Sequence, residues 1–172
     1  MSARRGSPMI ERLPSARGAI AFSMELGKVI CVPDPEEADL RDRAMIAAVP
    51  QDPVPAPALP GIAAGLLAAG SPHAGDLFPQ FELPGGPFDD LHGAGWCLVT
   101  TEPSGVASLD AELVDWFARI GGTVVPIGPS TWFSDHDISW ALQRPDFHLY
   151  GTAIDAPSAA ALLHDLRRGL LP

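Results

Sequence analysis

The two cysteines and five histidines are the side chains whose spacing says most about possible chemistry. Cys31 and Cys97 lie far apart, a spacing typical neither of a disulfide framework nor of a metal-ligand set. Cys97 falls inside the apolar run 96–101, so we expect a buried thiol that behaves as a small hydrophobic residue. With so few cysteines, a reducing cytoplasm is the expected compartment.

One histidine is flanked by carboxylates, in the run Ser134-Asp135-His136-Asp137. This run could form part of a metal or acid/base site, but an exposed polar loop before a hairpin is the simpler interpretation. The other histidines are scattered through the chain: His73, His92, His148 and His164. A Ser-His-Asp set could be drawn from them, but no G-x-S-x-G motif supports it. We therefore predict no catalytic residue and no metal ligand.

Two glycine-rich stretches also invite a functional interpretation. Gly85-Gly86 and Gly93-Ala94-Gly95 lack the strand, glycine loop and helix that together cradle a phosphate. The sequence therefore predicts no cofactor-binding residue in this chain.

Composition excludes several classes of protein. The chain has 172 residues, of which 47% are apolar, and a net charge of −10. A core of that size can be buried, whereas the negative charge argues against a nucleic-acid partner. No apolar run is long enough for a membrane span, and no apolar segment at signal-peptide spacing follows the first arginines. We expect neither a membrane nor a nucleic acid as partner.

The charge and the prolines divide the chain. Residues 1–50 are neutral, and residues 51–172 carry all of the net negative charge. Five prolines between residues 50 and 60 favour an extended, polyproline-like spacer. We predict a helical segment over residues 1–49, a linker rich in Pro, Gly and Ala over residues 50–75, and a domain over residues 76–172. Residues 62–69 could form a short helical turn within the linker.

The segment before the prolines is predicted to hold two helices. Ser15 is expected to cap a helix that ends at Gly27, followed by a β-like run over residues 29–32. Asp34 and Pro35 are a strong start for a second helix, which runs to about Ala48. Two such helices cannot bury a core of their own, so we expect this segment to pack on something else.

The last hundred residues have a clearer pattern. A strand over 96–101, a helix capped by Asp110, and a strand over 123–127 form a β-α-β unit with parallel strands. Strands over 138–142 and 148–153 flank the turn 144–147, and a helix opened by Asp155 follows. This β-α-β, β-β-α order predicts an α/β, thioredoxin-like fold with a four-stranded mixed sheet. Residues 101–105, where a redox member carries Cys-x-x-Cys, contain no cysteine, so disulfide exchange is not expected.

Three motifs carry a resemblance to a known family. The run from Met24 to Met45, the linker element 74–80, and the hairpin Arg144-Pro145-Asp146-Phe147-His148-Leu149-Tyr150-Gly151 resemble class A FAD-dependent aromatic hydroxylases. The match is best with the 3-(3-hydroxyphenyl)propionate hydroxylase branch and covers residues 15–170. In that family the C-terminal domain is thioredoxin-like and redox-inactive.

The resemblance implies an activity and shows what this chain lacks for it. Family enzymes are NAD(P)H-using monooxygenases that bind FAD through a Gly-x-Gly-x-x-Gly turn, an Asp-Gly motif and a Gly-Asp motif in regions that match nothing here. The chemistry is carried by the flavin, so no catalytic residue transfers to this chain. The resemblance implies the C-terminal portion of such an enzyme, structural or oligomerising and inactive alone, binding neither FAD nor NAD(P)H by itself.

Three hypotheses follow. The first is a portion of a phenolic hydroxylase whose partner is a chain carrying the FAD and substrate domains, or a homo-oligomer. The second is a stand-alone thioredoxin-like interaction module without redox activity. The third is an independent enzyme that uses His136 and its neighbouring acids.

Overall fold

The computed structural model describes residues 8–49 and 61–170, with side chains from residue 12 onward. The proline-rich stretch 50–60 lies outside these residues, so its extended form stays a prediction. The helices and strands follow in chain order: α1 Pro8–Ile30, α2 Pro35–Ala47, β1 Glu82–Leu83, β2 Gly86–Pro87, α3 Phe88–His92, β3 Trp96–Thr100, a 3₁₀ helix Pro103–Ser108, α4 Ala111–Arg119, β4 Gly122–Pro126, α5 Thr131–Asp135, β5 Trp140–Gln143, β6 Leu149–Ala153 and α6 Ala156–Leu170.

The first helix differs from its prediction. It begins before Ser15, passes through Gly27 and ends at Ile30, so both the cap at Ser15 and the β-like run 29–32 are wrong. A glycine inside a helix costs only about 1 kcal/mol, and a short apolar run without a partner strand gains little from being extended. The start of α2 is confirmed, because the Asp34 carboxylate accepts from the backbone N–H groups of Glu36 (2.9 Å) and Glu37 (3.0 Å).

The predicted mixed sheet is confirmed. Its strand order is β4-β3-β5-β6, with β3 and β4 parallel and the two other pairs antiparallel. The predicted cap of α4 is also present, since the Asp110 carboxylate accepts from the N–H groups of Glu112 (2.7 Å) and Leu113 (3.2 Å). The hairpin turn closes as predicted, with the Arg144 N–H donating to the His148 carbonyl at 2.8 Å.

The sheet separates two apolar clusters. On one face, α4 and α6 pack on side chains of β3, β5 and β6, with Leu113, Phe117, Leu163 and Leu166 at most 1% exposed. On the other face, Cys97 and Val99 meet Phe88 of α3 and Phe133 of α5. The layers are therefore helices, sheet and a second cover of short elements. The sequence predicted the sheet and the helical layer but not the second cover.

Residues 61–78 protect the edge strand β6. The N–H groups of Ala68 and Gly75 donate to the carbonyls of Tyr150 (2.9 Å) and Leu149 (2.8 Å). No helical turn forms over residues 62–69; bends and turns take its place. A bare edge strand would offer unpaired backbone groups to other chains, and this segment occupies them.

None of the helices within residues 8–49 and 61–170 combines the length and the hydropathy that a bilayer span requires.

Candidate functional site

The turn after β3 is the place where a redox-active relative would carry its dithiol. Here the Thr100 hydroxyl donates to the Ser139 carbonyl (3.0 Å) and accepts from the Glu102 N–H (2.9 Å). In the same turn the Glu102 carboxylate accepts a hydrogen bond from the indole N–H of Trp140, 3.1 Å away. The turn therefore holds a carboxylate bound to an indole rather than a thiol.

Cys97 is a buried residue of the core, as predicted, with 1% of its surface exposed. Burial, with a smaller effect from the nearby Asp89 carboxylate, raises the pKa of the Cys97 thiol to about 11. Because the thiolate is the reactive form, this thiol is inert near neutral pH. Cys31, in contrast, is exposed.

The same turn does not suit the pyrophosphate of a dinucleotide. Such a group needs backbone N–H donors at a helix N-terminus after a strand. The 3₁₀ helix after β3 begins at Pro103, which has no N–H, and the preceding residue is the anionic Glu102. The described residues therefore offer FAD no cradle at this point.

An open cleft of about 500 Å³ lies where β3 and β4 end. The chain leaves β3 toward α4 on one face of the sheet and leaves β4 toward α5 on the other face, an arrangement that leaves a crevice between the strand ends. Hydroxyl groups and two buried apolar side chains line it: Thr101, Ser130, Thr131, Ser134 and Ser139 with Phe133 and Ile138. The cleft can donate and accept hydrogen bonds, but no titratable side chain lines it.

His136 lies just after α5, and the exposed polar loop predicted around it is wrong in part. Ser134 and Asp135 belong to α5, and His136 is half-buried. Its ring contacts that of Trp132 (centroids 4.9 Å apart) and that of His73 (4.4 Å). Sequence reasoning missed this pair because His73 is distant in the chain, in the segment that lies along β6.

The remaining histidines do not join this cluster. His148 Nδ1 hydrogen-bonds the Asp146 carbonyl at 2.8 Å, His92 packs on Phe88, and His164 is exposed on α6. Within residues 8–49 and 61–170 no group of three or more His, Cys, Asp or Glu side chains is placed to hold a metal ion.

Arg144 and Asp146 join three segments of the chain. The Arg144 guanidinium donates to both carboxylate oxygens of Asp146 and to the Leu66 carbonyl at 2.9 Å. Asp146 also accepts from Arg12 of α1 at 2.9 Å. Burial alone would raise the pKa of Asp146, but the hydrogen bonds and charge of Arg144, with smaller effects from His148 and Arg12, lower it below the usual range. Arg144 and Asp146 therefore hold the hairpin to the residues around Leu66 and to α1.

The two N-terminal helices expose many apolar side chains. No side chain within residues 12–49 is buried, and α1, α2 and the residues after α2 expose a set of large apolar side chains, which we call the helical surface. Its members are Leu13, Ile20, Phe22, Met24, Leu26, Val29, Ile30, Leu40, Met45, Ile46 and Val49. Eleven large apolar side chains are thus exposed within 38 residues, whereas single scattered ones are normal on monomers.

The two helices of this surface are joined through a polar contact. Arg41 of α2 donates to the carbonyls of Val29 (2.7 Å) and Ile30 (3.1 Å). Arg41 thereby satisfies two carbonyl groups at the C-terminus of α1, which lack partners inside the helix. The apolar side chains stay free to contact another surface.

The fold and these sites define a thioredoxin-like domain without a dithiol, preceded by an apolar helical segment. No family model matches the chain. A probable NADH-specific resorcinol 4-hydroxylase from Rhodococcus jostii is 31% identical to it over 186 aligned residues. The match takes in 94% of this chain but 34% of the relative, so the chain spans about one third of that protein's length.

Solved structures show the same fold. The rebeccamycin biosynthetic enzyme RebC with reduced flavin superposes with a TM-score of 0.61 at 17% identity, over 95% of this chain and 36% of RebC. RebC soaked with K252c gives 0.60 at 18% identity, over 94% of this chain and 35% of RebC. The chain is thus similar to about one third of a resorcinol 4-hydroxylase and shares the fold of one part of RebC. The resemblance to the aromatic hydroxylases drawn from its sequence motifs is confirmed, whereas the branch named there stays a prediction.

Proposed function

We propose that this chain is the C-terminal portion of an FAD-dependent, NAD(P)H-using monooxygenase that hydroxylates phenolic compounds, and that it has a structural role there. The match to about one third of a resorcinol 4-hydroxylase supports this function. The chain alone binds neither FAD nor NAD(P)H and is inactive, consistent with the turn after β3, which lacks a pyrophosphate cradle.

The observation that carries the proposal is the helical surface. Most helical stability in proteins comes from packing an apolar face rather than from intrinsic propensity. Here the faces of α1 and α2 bury nothing within the described residues, and side chains such as Ile20 (60% exposed) and Ile46 (74%) project from them. A polypeptide that carries the FAD and substrate domains is the partner we propose for this surface.

Complex formation tests the partnership. The chain is mixed at micromolar concentration with a separately produced FAD and substrate portion, either its natural counterpart or the remaining two thirds of the Rhodococcus relative. We expect a one-to-one complex by size-exclusion chromatography, and hydroxylation of a phenol with NADH or NADPH consumption that neither part shows alone. Absence of a complex at these concentrations would refute the proposed partner.

A matched pair of isoleucines tests the surface. Ile20 of α1 and Ile154, after β6, are similarly exposed (60% and 66%), but only Ile20 belongs to the helical surface. Ile20→Glu should weaken the complex at least tenfold, because a buried carboxylate without a partner costs several kcal/mol. Ile154→Glu should leave the affinity unchanged, and equal effects of the two variants would contradict the assignment.

A stand-alone interaction module is the second candidate. It is favoured by β4, which forms the other edge of the sheet and whose outer side no strand within the described residues covers. Such an edge can pair with another strand. Light scattering of the full chain, alone and with the FAD portion, separates the two candidates. A strict monomer that binds the FAD portion would exclude the stand-alone module. A stable homo-oligomer that does not bind the FAD portion would exclude the hydroxylase portion.

A further inference from the structure

Two histidines from segments that are distant in the sequence lie side by side in the fold. His73 belongs to the stretch along β6, and His136 follows α5. Their ring centroids are 4.4 Å apart with an angle of 86° between the ring planes. His73 has φ of +60°, a left-handed conformation that few residues other than glycine adopt.

Hydrogen bonds determine the tautomer of both rings. His73 Nδ1 lies 3.3 Å from a carboxylate oxygen of Asp76, and His136 Nδ1 lies 2.7 Å from the Trp132 carbonyl. Both partners are acceptors only, so each Nδ1 carries the proton and donates it. In the neutral rings, each Nε2 therefore keeps a free lone pair.

This arrangement is the one that surrounds metal-bound imidazoles. A histidine that binds a metal usually donates its other ring N–H to a carboxylate or a backbone carbonyl, which fixes the tautomer and the ring orientation. Asp76 supplies the carboxylate to one ring and Trp132 the carbonyl to the other. Each ring thus has one outer partner of a kind that is typical of ligating histidines.

We propose that His73 and His136 bind one divalent metal ion of the type that prefers imidazole, with Zn²⁺ as the first candidate, through their Nε2 atoms. With a Zn–N bond of about 2.1 Å and the tetrahedral angle that Zn²⁺ prefers, the two ring centroids would lie about 5.3 Å apart. The observed 4.4 Å must therefore widen by about 0.9 Å on binding, and rotation about the Cβ–Cγ bond of histidine, which is soft, allows the rings to turn.

Two protein ligands leave the other positions of the ion to water. Within the described residues no third His, Cys, Asp or Glu side chain is placed to complete the set, so the site is open and its affinity modest. Its effect is to join the segment along β6 to α5. The ion would therefore stabilise the folded chain by binding it in preference to the unfolded one.

Calorimetric titration of the untagged full chain with ZnCl₂ at pH 7.5 tests the site. We expect one Zn²⁺ per chain, at least tenfold weaker binding in His73→Ala and in His136→Ala, and unchanged binding in His164→Ala, which alters an exposed histidine of α6. Zn²⁺ should raise the melting temperature of the wild type but not of the two pair variants. No binding, or equal binding by all four proteins, would overturn the proposal.

A second measurement does not depend on the histidine variants folding. Trp132 contacts His136, so Cu²⁺, which takes the same ligands and quenches indole fluorescence, should quench the wild type. Trp132→Phe should lose most of this quenching, whereas Trp116→Phe, on α4, should keep it. Equal quenching in both variants would place the ion elsewhere and refute the site.

Discussion

Arg144 and Asp146 form an ion pair through two parallel hydrogen bonds, from Nε to Oδ1 and from one terminal nitrogen to Oδ2, each 3.0 Å long. Both side chains are largely shielded from solvent, with 10% and 21% of their surfaces exposed. Arg144 holds the hairpin against Leu66, and Asp146 reaches Arg12 of α1. The pair therefore connects the sheet to two segments that precede it.

We expect Asp146→Asn to lower the free energy of unfolding by about 1 to 3 kcal/mol, because it leaves a mostly buried guanidinium without its charged partner. Urea denaturation at pH 7 measures the loss. Asp135→Asn changes an exposed carboxylate at the end of α5 and should alter stability by less than about 0.5 kcal/mol. Equal effects of both variants would show that the pair contributes nothing specific.

The same pair gives a pH dependence. The folded state lowers the pKa of Asp146 below 3.8, so the stability it contributes is fully present above the unfolded pKa and is lost as the pH falls through the folded value. Urea midpoints measured from about pH 5 to about pH 2.5 should fall less steeply in Asp146→Asn than in the wild type. Parallel curves would contradict the lowered pKa.

Gln143 and Thr100 are both completely buried polar residues of the sheet, but only Thr100 has partners. Neither side-chain polar atom of Gln143 has a hydrogen-bond partner within the described residues. We expect Gln143→Leu to raise the melting temperature or leave it unchanged, because it removes the cost of an unpaired amide. Thr100→Val, nearly equal in shape, should cost about 1 to 2 kcal/mol. A lower melting temperature in both variants would show that the Gln143 amide is hydrogen-bonded in solution.

The two thiols should differ in reactivity. With the pKa of Cys97 raised to about 11 by burial, a disulfide reagent at pH 8 should modify only Cys31 in the native chain and both thiols after denaturation in urea. Cys31→Ser should therefore show no rapid reaction until it is unfolded. Fast labelling of Cys97 in the native state would mean that its cover opens readily.

Gly75 and Gly70 test the segment along β6. Both have positive φ, +94° and +74°, but a Cβ at Gly75 would lie 1.9 Å from the Ile62 carbonyl oxygen, whereas a Cβ at Gly70 meets nothing within 4 Å. Gly70→Ala should cost about 1 kcal/mol for the backbone conformation alone. Gly75→Ala should cost clearly more in thermal denaturation, since backbone must move. Similar losses of stability in both variants would mean that the close approach of Ile62 to Gly75 is not maintained in solution.

Local patterns in the sequence were sufficient for much of the fold. The Asp34 and Asp110 caps and the turn at residues 144–147 each depend on residues within a few positions of one another. Each was predicted and is present. Cys97 was likewise expected to be buried, because apolar residues flank it on both sides in the strand. The domain boundaries near residues 50 and 75 stay predictions.

The sequence by itself determined the order of the elements, the mixed sheet and the absence of a dithiol from the turn after β3, because these follow from periodicity, caps and residue types close together in the chain. Only the tertiary structure placed His73 beside His136, joined Arg144 to Leu66, and laid residues 61–78 along β6. Those contacts join residues separated by more than sixty positions, and no local propensity encodes which distant segments meet when the apolar faces are buried.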